Sequence, residues 1–566
     1  MFASMNRASM WRLIHDLFIH TGTRLWYVVA WTSLNAMTSA LGIALILPLL
    51  ALLFPVPGID PLQVDWLNPE WLNLESILLL YLVLVSLSVW INRQTMVQTS
   101  ILVQGYTKHL RVRLFETLFA SDYSYIAHQK KSDVLNLFTL EIARISSSVT
   151  ALVGLISGVL IMIPHIVLAW YLSPRLTGFV LVSGLIVFIS LYTSLGRVRR
   201  LALSLYQSNQ TWQQRLHEQL YGMKEIRSYG IEARQVDFFR QATEEVEQQL
   251  VQFAKEQSKP DTVFKIVAAA VISLFFYISL SVLQEEVSTL LVIVLLFGRL
   301  WPLFAAFQKN IQIFLSGVPV YTLLLNKLEA VPKRSASDEE KLTFHETLVI
   351  DRVRYSYGQT TGIDVSFTVN AGQMVAIMGA SGTGKSTLLD LLLGLLEPQA
   401  GEIRVDGKTL NARRAESWRE QISYIPQSAF LFHGTIRENI LHFNPDLTNE
   451  ALVEALDLAG ATFVFDLPDG IETMIGDFGT RLSGGQQQKI ILARALAKKP
   501  RILLLDEATN ALDREQEVMF HDTLRQLTSR MTILYITHRR EIGHLADAIY
   551  QMETGTFERR EVNHFK

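Results

Sequence analysis

The sequence predicts a two-part fold, in which an all-helical membrane domain with six spanning helices precedes a soluble α/β domain. Two observations predict it. Hydrophobic residues make up 49% of the 566 residues, and the mean hydropathy of +0.24 is high for a soluble chain. These apolar residues gather in long runs before about residue 331, whereas later residues have the mixed composition of a soluble domain.

Charge and cysteine content exclude several classes of protein. The formal net charge is −2, so no overall basic field favours nucleic acid as a partner. The chain contains 0 cysteines, which rules out disulfides, cysteine-ligated zinc and a cysteine nucleophile. A built-in cysteine peptidase is excluded for the same reason.

Six segments are apolar and long enough to cross a bilayer, which takes roughly 20 residues in a helix. They are 25–54, 76–103, 149–172, 175–195, 262–283 and 287–310. Before them, Ser9–Gly22 is predicted to form an amphipathic interfacial helix. Its apolar residues are Trp11, Leu13, Ile14, Leu17 and Phe18. The alternative is that this segment extends the first span.

The loops between the spans predict their orientation. The long polar loops 104–148 and 196–260 are rich in Lys and Arg, whereas 55–75 contains neither. The positive-inside rule therefore places the long loops and both termini in the cytoplasm. Each long loop is predicted to be a helical hairpin, reversing near Tyr123–Lys131 and near Ser228–Ala233.

The soluble part contains a phosphate-binding pattern. The segment GASGTGKST, Gly379–Thr387, follows a strand-like run and precedes a helix-like run, which is the strand–loop–helix context of a P-loop. Its backbone N–H groups and the helix N-terminus bind phosphate oxygens, Lys385 reaches the β- and γ-phosphates, and Ser386 ligates Mg²⁺. The predicted ATP ligands in this loop are Gly379, Ser381, Gly382, Thr383, Gly384, Lys385, Ser386 and Thr387.

Two further strand-like runs end in residues suited to phosphate chemistry. In RILLLDEAT, Arg501–Thr509, Asp506 is placed to hold Mg²⁺ and Glu507 to polarise the attacking water. In TILYITH, Thr532–His538, the terminal His538 is placed to contact the γ-phosphate. The carboxyl ends of parallel strands share one edge of a sheet, where active sites lie. An α/β P-loop NTPase is therefore predicted.

The segment LSGGQQQK, Leu482–Lys489, resembles the signature motif of ATP-binding cassette (ABC) proteins. The resemblance implies that this helix N-terminus holds the γ-phosphate of the ATP bound to a second subunit, through Ser483, Gly484, Gly485 and Gln486. It also implies roles for three other elements: adenine stacking by Tyr357, Mg²⁺ sensing by the Q-loop residue Gln427, and a D-loop at Asn510–Asp513. Asn510 departs from the usual Ser, and Gln488, Lys489 and Asp477 also differ from the common pattern.

The resemblance covers the whole chain and is to ABC exporter half-transporters. It implies a transmembrane domain over 1–330, a linker over 331–341 and a cassette over 342–566. The hairpin tips then rest on the cassettes, and the second tip, in Gly222–Phe239, docks on the cassette of the partner. Because each copy carries both Glu507 and His538, two identical copies would form two competent sites, which favours a homodimer over a heterodimer.

Arg299 is the one charged residue in the apolar segment Leu291–Phe307. It lies about 18 Å along the sixth span at about 1.5 Å per residue, near the midplane of a core about 30 Å thick. One hypothesis is that it binds a phosphate or carboxylate on the cargo. The alternative is a structural Arg paired to helix carbonyls or a carboxylate. Trp301 and His165 are further cargo candidates.

The predicted function is ATP-driven export or lipid flipping across a bacterial cytoplasmic membrane, with ATP and Mg²⁺ as cofactors. The predicted partners are a second copy, membrane lipid and an amphipathic cargo, with no nucleic acid. That cargo is a lipid-linked glycan or glycolipid, or else a small cyclic or ribosomal peptide. An ATP-gated channel or regulator is the alternative, and Glu507 argues against it. Import is a second alternative, which the fused spans disfavour.

Overall fold

The structure is a computed structural model of the 566-residue chain. It describes residues 2–45, 74–127, 129–172, 174–281, 287–330, 341–356, 362–476, 479, 481–509, 514–538, 545–553 and 556–560. The chain divides into two compact units. One contains Met1–Ala120 and His128–Val331, and the other contains Ser121–Ala127 and Pro332–Lys566.

The first unit is helical throughout the part that the structure describes. The helices before residue 331 are α1 (Phe2–Thr21), α2 (Thr23–Ala44), α3 (Leu74–Phe119), α4 (Tyr123–Ala127), α5 (Lys131–Asn136), α6 (Ile142–Leu172), α7 (Pro174–Tyr221), α8 (Met223–Ser228), α9 (Glu232–Ser281) and α10 (Val287–Ala330). A π-helical turn, Leu137–Glu141, joins α5 to α6. Of these helices, α4 belongs to the second unit.

Among the described residues, three helical segments are long and apolar enough to cross a membrane. They are Leu74–Phe119, Lys131–Tyr171 and Leu300–Ala330. They contain the predicted second span, nearly all of the third and part of the sixth. Helices α2, α7 and α9 overlap the predicted first, fourth and fifth spans. Residues 46–54 of the first predicted span lie outside the described residues.

A short helix lies at each of the two predicted reversals in the long loops. The short helix α4 follows the end of α3, and α8 stands between α7 and α9. The tip around α8 exposes large apolar side chains: Leu220 is 58%, Tyr221 72% and Tyr229 79% exposed. Apolar side chains in a polar hairpin tip indicate a surface that another element covers.

Helix α1 buries only one edge of its apolar face. Leu13 and Leu17 are 0% exposed, whereas Trp11 is 64% and Phe18 48% exposed. At about 100° per residue, the five predicted apolar positions fall within one arc of about 160°, with Leu13 and Leu17 toward one edge and Trp11 and Phe18 toward the other. Gly22, with φ of 45°, separates α1 from α2, so α1 does not extend the first span. The placement of α1 at the membrane interface stays a prediction.

Helices α6 and α10 pack closely because glycines line their contact. An added Cβ at Gly317 would lie 1.7 Å from the Ser148 Oγ atom, and one at Gly154 would lie 2.6 Å from the Asn310 Nδ2 atom. The Ser148 hydroxyl donates a hydrogen bond to the Ile313 carbonyl across the contact, at 3.2 Å. The two helices therefore interlock with no space for a larger side chain.

Gly317→Ala is expected to destabilise the membrane unit. The new methyl group must displace Ser148 or separate the helices, and overpacking of this kind costs about 1–3 kcal/mol. Gly178→Ala, in α7, is the matched control because an added Cβ there meets nothing within 4 Å. Thermal unfolding in detergent should show a lower midpoint for Gly317→Ala alone. Equal midpoints for the two variants would contradict the packing described above.

The second unit is built around two sheets. Its strands are β1 (Thr347–Tyr355), β2 (Ile363–Asn370), β3 (Met374–Gly379), β4 (Ala400–Val405), β5 (Lys408–Thr409), β6 (Ile422–Ile425), β7 (Ile502–Asp506), β8 (Thr532–Thr537), β9 (Ala548–Glu553) and β10 (Thr556–Arg560). Its longer helices are α11 (Lys385–Leu392), α12 (Ala415–Glu420), α13 (Ile436–Leu441), α14 (Asn449–Leu458), α15 (Gly484–Ala497) and α16 (Arg514–Leu527). The larger sheet has the order β10-β9-β3-β8-β7-β6, and the smaller has the order β2-β1-β4-β5.

The three strands predicted from apolar runs lie side by side in the larger sheet. Every residue of β3, β7 and β8 is buried, as expected for parallel strands covered on both faces. Strand β8 pairs in parallel with both β3 and β7. Their carboxyl ends therefore meet at one edge, which brings the P-loop, Glu507 and His538 together.

Candidate functional site

The loop between β3 and α11 depends on a glycine for its shape. Gly384 has φ of 99°, in the left-handed region that favours glycine. A Cβ at this position would also lie 2.2 Å from the Ile363 Cγ2 atom. Helix α11 begins at the next residue, and its first backbone N–H groups have no partner within the helix. The loop and helix thus form an anion-binding cradle.

Lys385 is held inside this cradle. Its side chain is 7% exposed, and its amine donates hydrogen bonds to the carbonyls of Gly379 at 2.7 Å and Ala380 at 2.9 Å. Burial lowers the pKa of Lys385, and the nearby carboxylates of Glu507 and Asp506 offset part of that effect. A phosphate group would supply the counter-charge that a buried ammonium needs.

Glu507 is the point where three predicted residues meet. Its carboxylate accepts a hydrogen bond from the Gln427 Nε2 atom at 2.9 Å and lies 3.2 Å from the His538 Nδ1 atom. The Lys385 amine is 3.9 Å away, and the Glu507 side chain is only 11% exposed. Side chains from three other segments therefore converge on the Glu507 carboxylate.

The backbone of Glu507 adopts an uncommon conformation. Its φ is 46°, which a residue with a Cβ rarely adopts. The conformation is held by the Glu507 N–H group, which donates to the Ile536 carbonyl at 2.9 Å. Strain of this kind costs about 1–3 kcal/mol and gathers at functional sites. The left-handed backbone conformation turns the Glu507 side chain away from the direction that it would have if strand β7 continued through this residue.

The residues predicted to hold Mg²⁺ fit that ion chemically. Asp506 ends β7 and is 9% exposed. Its pKa is raised by burial and by the adjacent charge of Glu507, and a bound divalent cation would relieve both effects. Mg²⁺ is commonly held by one or two carboxylates together with phosphate oxygens. The described residues contain no group of three or more His, Cys, Asp or Glu side chains arranged for a metal.

Two side chains near Asp506 were missed by motif reasoning. The Tyr424 hydroxyl, on β6, lies 3.5 Å from the Asp506 Oδ2 atom. Asp390, on α11, has a pKa raised to about 6 by burial and then by the charge of Asp506. The signal for Tyr424 was its position three residues before Gln427 on a strand that ends at the same sheet edge.

The signature segment forms a helix cap, as predicted. Ser483 is the N-cap of α15, and its hydroxyl accepts a hydrogen bond from the Gln486 N–H group at 3.3 Å. The Gln486 side chain accepts one in return from the Ser483 N–H group at 3.0 Å. In the described part of the chain, the side-chain hydrogen bonds of Ser483 and Gln486 stay within this cap. Within the described residues, Ser483 and Gln486 therefore form no side-chain hydrogen bond with the P-loop of the same chain.

Several predicted residues remain outside this description. Tyr357, Asp477 and Asn510–Asp513 lie outside the described residues, and so does the side chain of Arg299. Trp301 is half-buried in an apolar cluster on α10. His165 is 1% exposed, and its Nδ1 atom donates to the Ile161 carbonyl at 2.8 Å. A cargo role for any of these three candidates stays a prediction.

Comparison with known families gives a match in each unit. Residues 34–301 match the ABC transporter transmembrane region. Residues 363–510 match the ABC transporter family itself, and this range contains the P-loop, Gln427, the signature segment and Glu507. Both predicted parts of the chain are thus matched, in the predicted order.

Two similar proteins match most of the chain, and a third matches a shorter part of it. An ATP-dependent lipid A-core flippase of Saccharophagus degradans is 28% identical over 79% of this chain and 77% of its own length. The heterocyst differentiation ATP-binding protein HepA of Nostoc is 28% identical over 79% of this chain and 74% of its own length. A multidrug resistance ABC transporter ATP-binding and permease protein of Lactococcus lactis is 39% identical over 38% of this chain and 39% of its own length.

A solved structure has the same fold. The structure of a bacterial Atm1-family ABC exporter with ATP bound superposes with a TM-score of 0.82 at 21% sequence identity. It covers 96% of this chain, and 95% of that chain is covered in turn. The fold therefore extends over both units.

Proposed function

This chain belongs to the ABC transporter family, as an ATP-hydrolysing exporter with its transmembrane region and cassette in one polypeptide, and we propose that two copies form a homodimer that exports an amphipathic, anionic cargo. The membrane is the cytoplasmic membrane of a bacterium, and the cassette lies on its cytoplasmic side. The basic loops and the bacterial relatives support that placement.

The convergence on Glu507 is the observation that carries ATP hydrolysis at this site. Glu507 accepts the proton of the attacking water, and Gln427 and His538 orient its carboxylate from either side. Lys385 and the N–H groups of the cradle bind the phosphates. Mg²⁺, held by Ser386, Asp506 and Gln427, would neutralise phosphate charge.

Two observations support a dimer. In the described residues, the side chains of Ser483 and Gln486 form no hydrogen bond with the P-loop of their own chain. If the signature segment contacts ATP, that ATP is therefore bound to the P-loop of a second chain. The tip around α8 also exposes Tyr221 and Tyr229. The second chain offers a cassette surface that would cover them.

A cysteine pair tests the dimer directly, because the chain contains 0 cysteines. Ser381→Cys and Ser483→Cys are placed in one polypeptide together with Glu507→Gln, which retains bound ATP. We expect a disulfide-linked species at twice the 64.1 kDa chain mass when ATP is added under mild oxidation. A sandwich in which each signature faces the partner's P-loop brings the two thiols together.

The controls separate this geometry from random collision. Each single cysteine variant should stay monomeric on a denaturing gel with ATP. The double variant should also stay monomeric without nucleotide. A double variant that never links, or that links equally without ATP, contradicts the proposed homodimer.

Arg299→Ala tests the anionic cargo. We expect an anionic lipid-linked sugar to stimulate the ATPase rate of the wild type severalfold in lipid nanodiscs, and this stimulation to be lost in the variant. Arg175→Ala, at the turn before the fourth span, is the matched control and should respond like the wild type. Cyclic peptides, titrated in parallel, test the other cargo class.

Each result has a distinct meaning. Stimulation by cyclic peptides alone would replace the lipid cargo with a peptide. Equal responses from the wild type and Arg299→Ala would make Arg299 structural and overturn its role as cargo contact, while ATP-driven export stands. Ion conductance without ATP turnover would favour a channel instead.

A further inference from the structure

A cleft opens between α9 and α10 on the side of α10 that faces away from α6. Its volume is about 380 Å³, within the range of small-molecule sites. Small and polar side chains line it: Ser258 from α9, and Ala305, Ala306, Gln308, Lys309 and Gln312 from α10. The small alanine side chains leave room for a ligand, and the longer side chains of Gln308, Lys309 and Gln312 form a polar wall.

Three of these polar groups have no partner in the described part of the protein. Gln312 is 5% exposed, yet no described residue forms a hydrogen bond with its carboxamide. Gln308 is half-buried and Lys309 is exposed, and neither has a hydrogen-bond or ion-pair partner among the described residues. A buried polar group in a native protein is almost always hydrogen-bonded. The unpartnered, buried carboxamide of Gln312, in the same cleft lining as the exposed ammonium of Lys309, therefore points to a ligand that accepts hydrogen bonds and carries negative charge.

The cleft lies at a defined depth in the proposed membrane orientation. Lys309 is about 33 Å from the outer end of α10 at Val287, at about 1.5 Å per residue. The hydrocarbon core is about 30 Å thick, so Lys309 lies at the inner headgroup level. About one to two turns further into the membrane, Phe304, Trp301 and Val267 lie in a half-buried apolar cluster. The lining thus changes from polar to apolar toward the membrane centre.

We propose that this cleft binds the phosphate headgroup of an anionic lipid of the inner leaflet. Lys309 and the carboxamides of Gln308 and Gln312 contact the phosphate oxygens. The acyl chains lie along Val267, Trp301 and Phe304. The site rests on the proposed export function only for its place in transport, because binding itself needs neither ATP nor a second chain.

Binding of phosphatidylglycerol tests the site. The full-length protein in neutral detergent is titrated with tail-labelled phosphatidylglycerol, without nucleotide, and fluorescence anisotropy gives Kd. We expect Lys309→Gln to raise Kd at least about fivefold, because it removes a charge-assisted contact. Lys309→Arg keeps the charge and should stay within about twofold of the wild type. Gln312→Leu should also weaken binding.

Matched controls define the specificity. Lys255→Gln removes the same charge from α9, within one turn of Ser258 but outside the cleft lining, and should leave Kd unchanged. Tail-labelled phosphatidylcholine should bind more weakly and respond to none of the substitutions. Glycerol 3-phosphate in solution should fail to displace the labelled lipid at concentrations where unlabelled phosphatidylglycerol succeeds.

Three outcomes overturn the proposal. Equal Kd values for the wild type and Lys309→Gln would remove Lys309 from the site. Equal affinity for the anionic and zwitterionic lipids would remove the charge recognition. Displacement by glycerol 3-phosphate as efficient as by the lipid would make the ligand a soluble anion. None of these results bears on ATP hydrolysis, which is tested separately through Glu507.

Discussion

Glu507→Gln lowers the ATPase rate by roughly 100- to 1,000-fold and leaves ATP binding intact. General-base catalysis contributes about 10²–10⁴-fold, and the substitution removes the base without changing the size of the side chain. The carbonyl oxygen of the new carboxamide still accepts the hydrogen bond from Gln427, so the pocket keeps its shape. Phosphate release is measured in nanodiscs, and binding of a fluorescent ATP analogue is measured on the same samples.

The control for this variant is a glutamate with no part in the site. Glu454, on α14, is 56% exposed and lies 3.9 Å from Arg530, a surface pair worth little. Glu454→Gln should hydrolyse ATP at the rate of the wild type. If Glu507→Gln keeps more than about a tenth of the wild-type rate, Glu507 is not the catalytic base.

Lys385→Met raises the Kd for ATP roughly 30-fold or more. A hydrogen bond to a charged group contributes about 1.5–3 kcal/mol, and the ammonium is the one charged side chain that the P-loop segment 379–387 contains. Methionine matches the length of lysine but cannot bond to phosphate or to the carbonyls of Gly379 and Ala380. Titration of the fluorescent ATP analogue gives the change in Kd.

A second lysine variant excludes a general effect of charge loss. Lys341 is 78% exposed and lies 4.0 Å from Glu420, so Lys341→Met should bind ATP like the wild type. Circular dichroism checks that Lys385→Met is folded, since its loop loses two hydrogen bonds. A folded Lys385→Met protein with unchanged affinity would place the phosphates elsewhere.

The larger sheet could be predicted because each of its central strands has a recognisable local sequence pattern. β3, β7 and β8 are continuous apolar runs, and each ends at a residue with recognisable chemistry. The smaller sheet gave no such signal. Strand β2 alternates buried and exposed residues, and β1 pairs with β4 about 50 residues further along the chain. That pairing depends on tertiary packing that no local pattern shows.

The functional site was predictable at the level of residue types and not at the level of geometry. The motifs in the sequence indicated Lys385, Glu507 and His538, and the family resemblance indicated Gln427. The role of Tyr424 depends on the register in which β6 pairs with β7, where Tyr424 stands opposite Leu504. The left-handed backbone of Glu507 depends on its bond to Ile536, on the neighbouring strand.

The face of α1 was predictable in principle. Positions 13 and 17 are separated by one helical turn, and positions 11 and 18 lie toward the other edge of the same apolar arc of about 160°. An apolar arc this wide has room for two apolar environments, one at each edge. The structure identifies one of them as the helical core around Leu13 and Leu17.

The glycine contact between α6 and α10 limits how the membrane unit can deform. Because Gly154 and Gly317 let the two helices interlock, neither can slide along or roll against the other without a clash. We therefore expect α6 and α10 to move together as one rigid pair. A change in the width of the cleft beside Lys309 then requires α9 to move relative to this pair, and α9 leads directly to α8 at the hairpin tip.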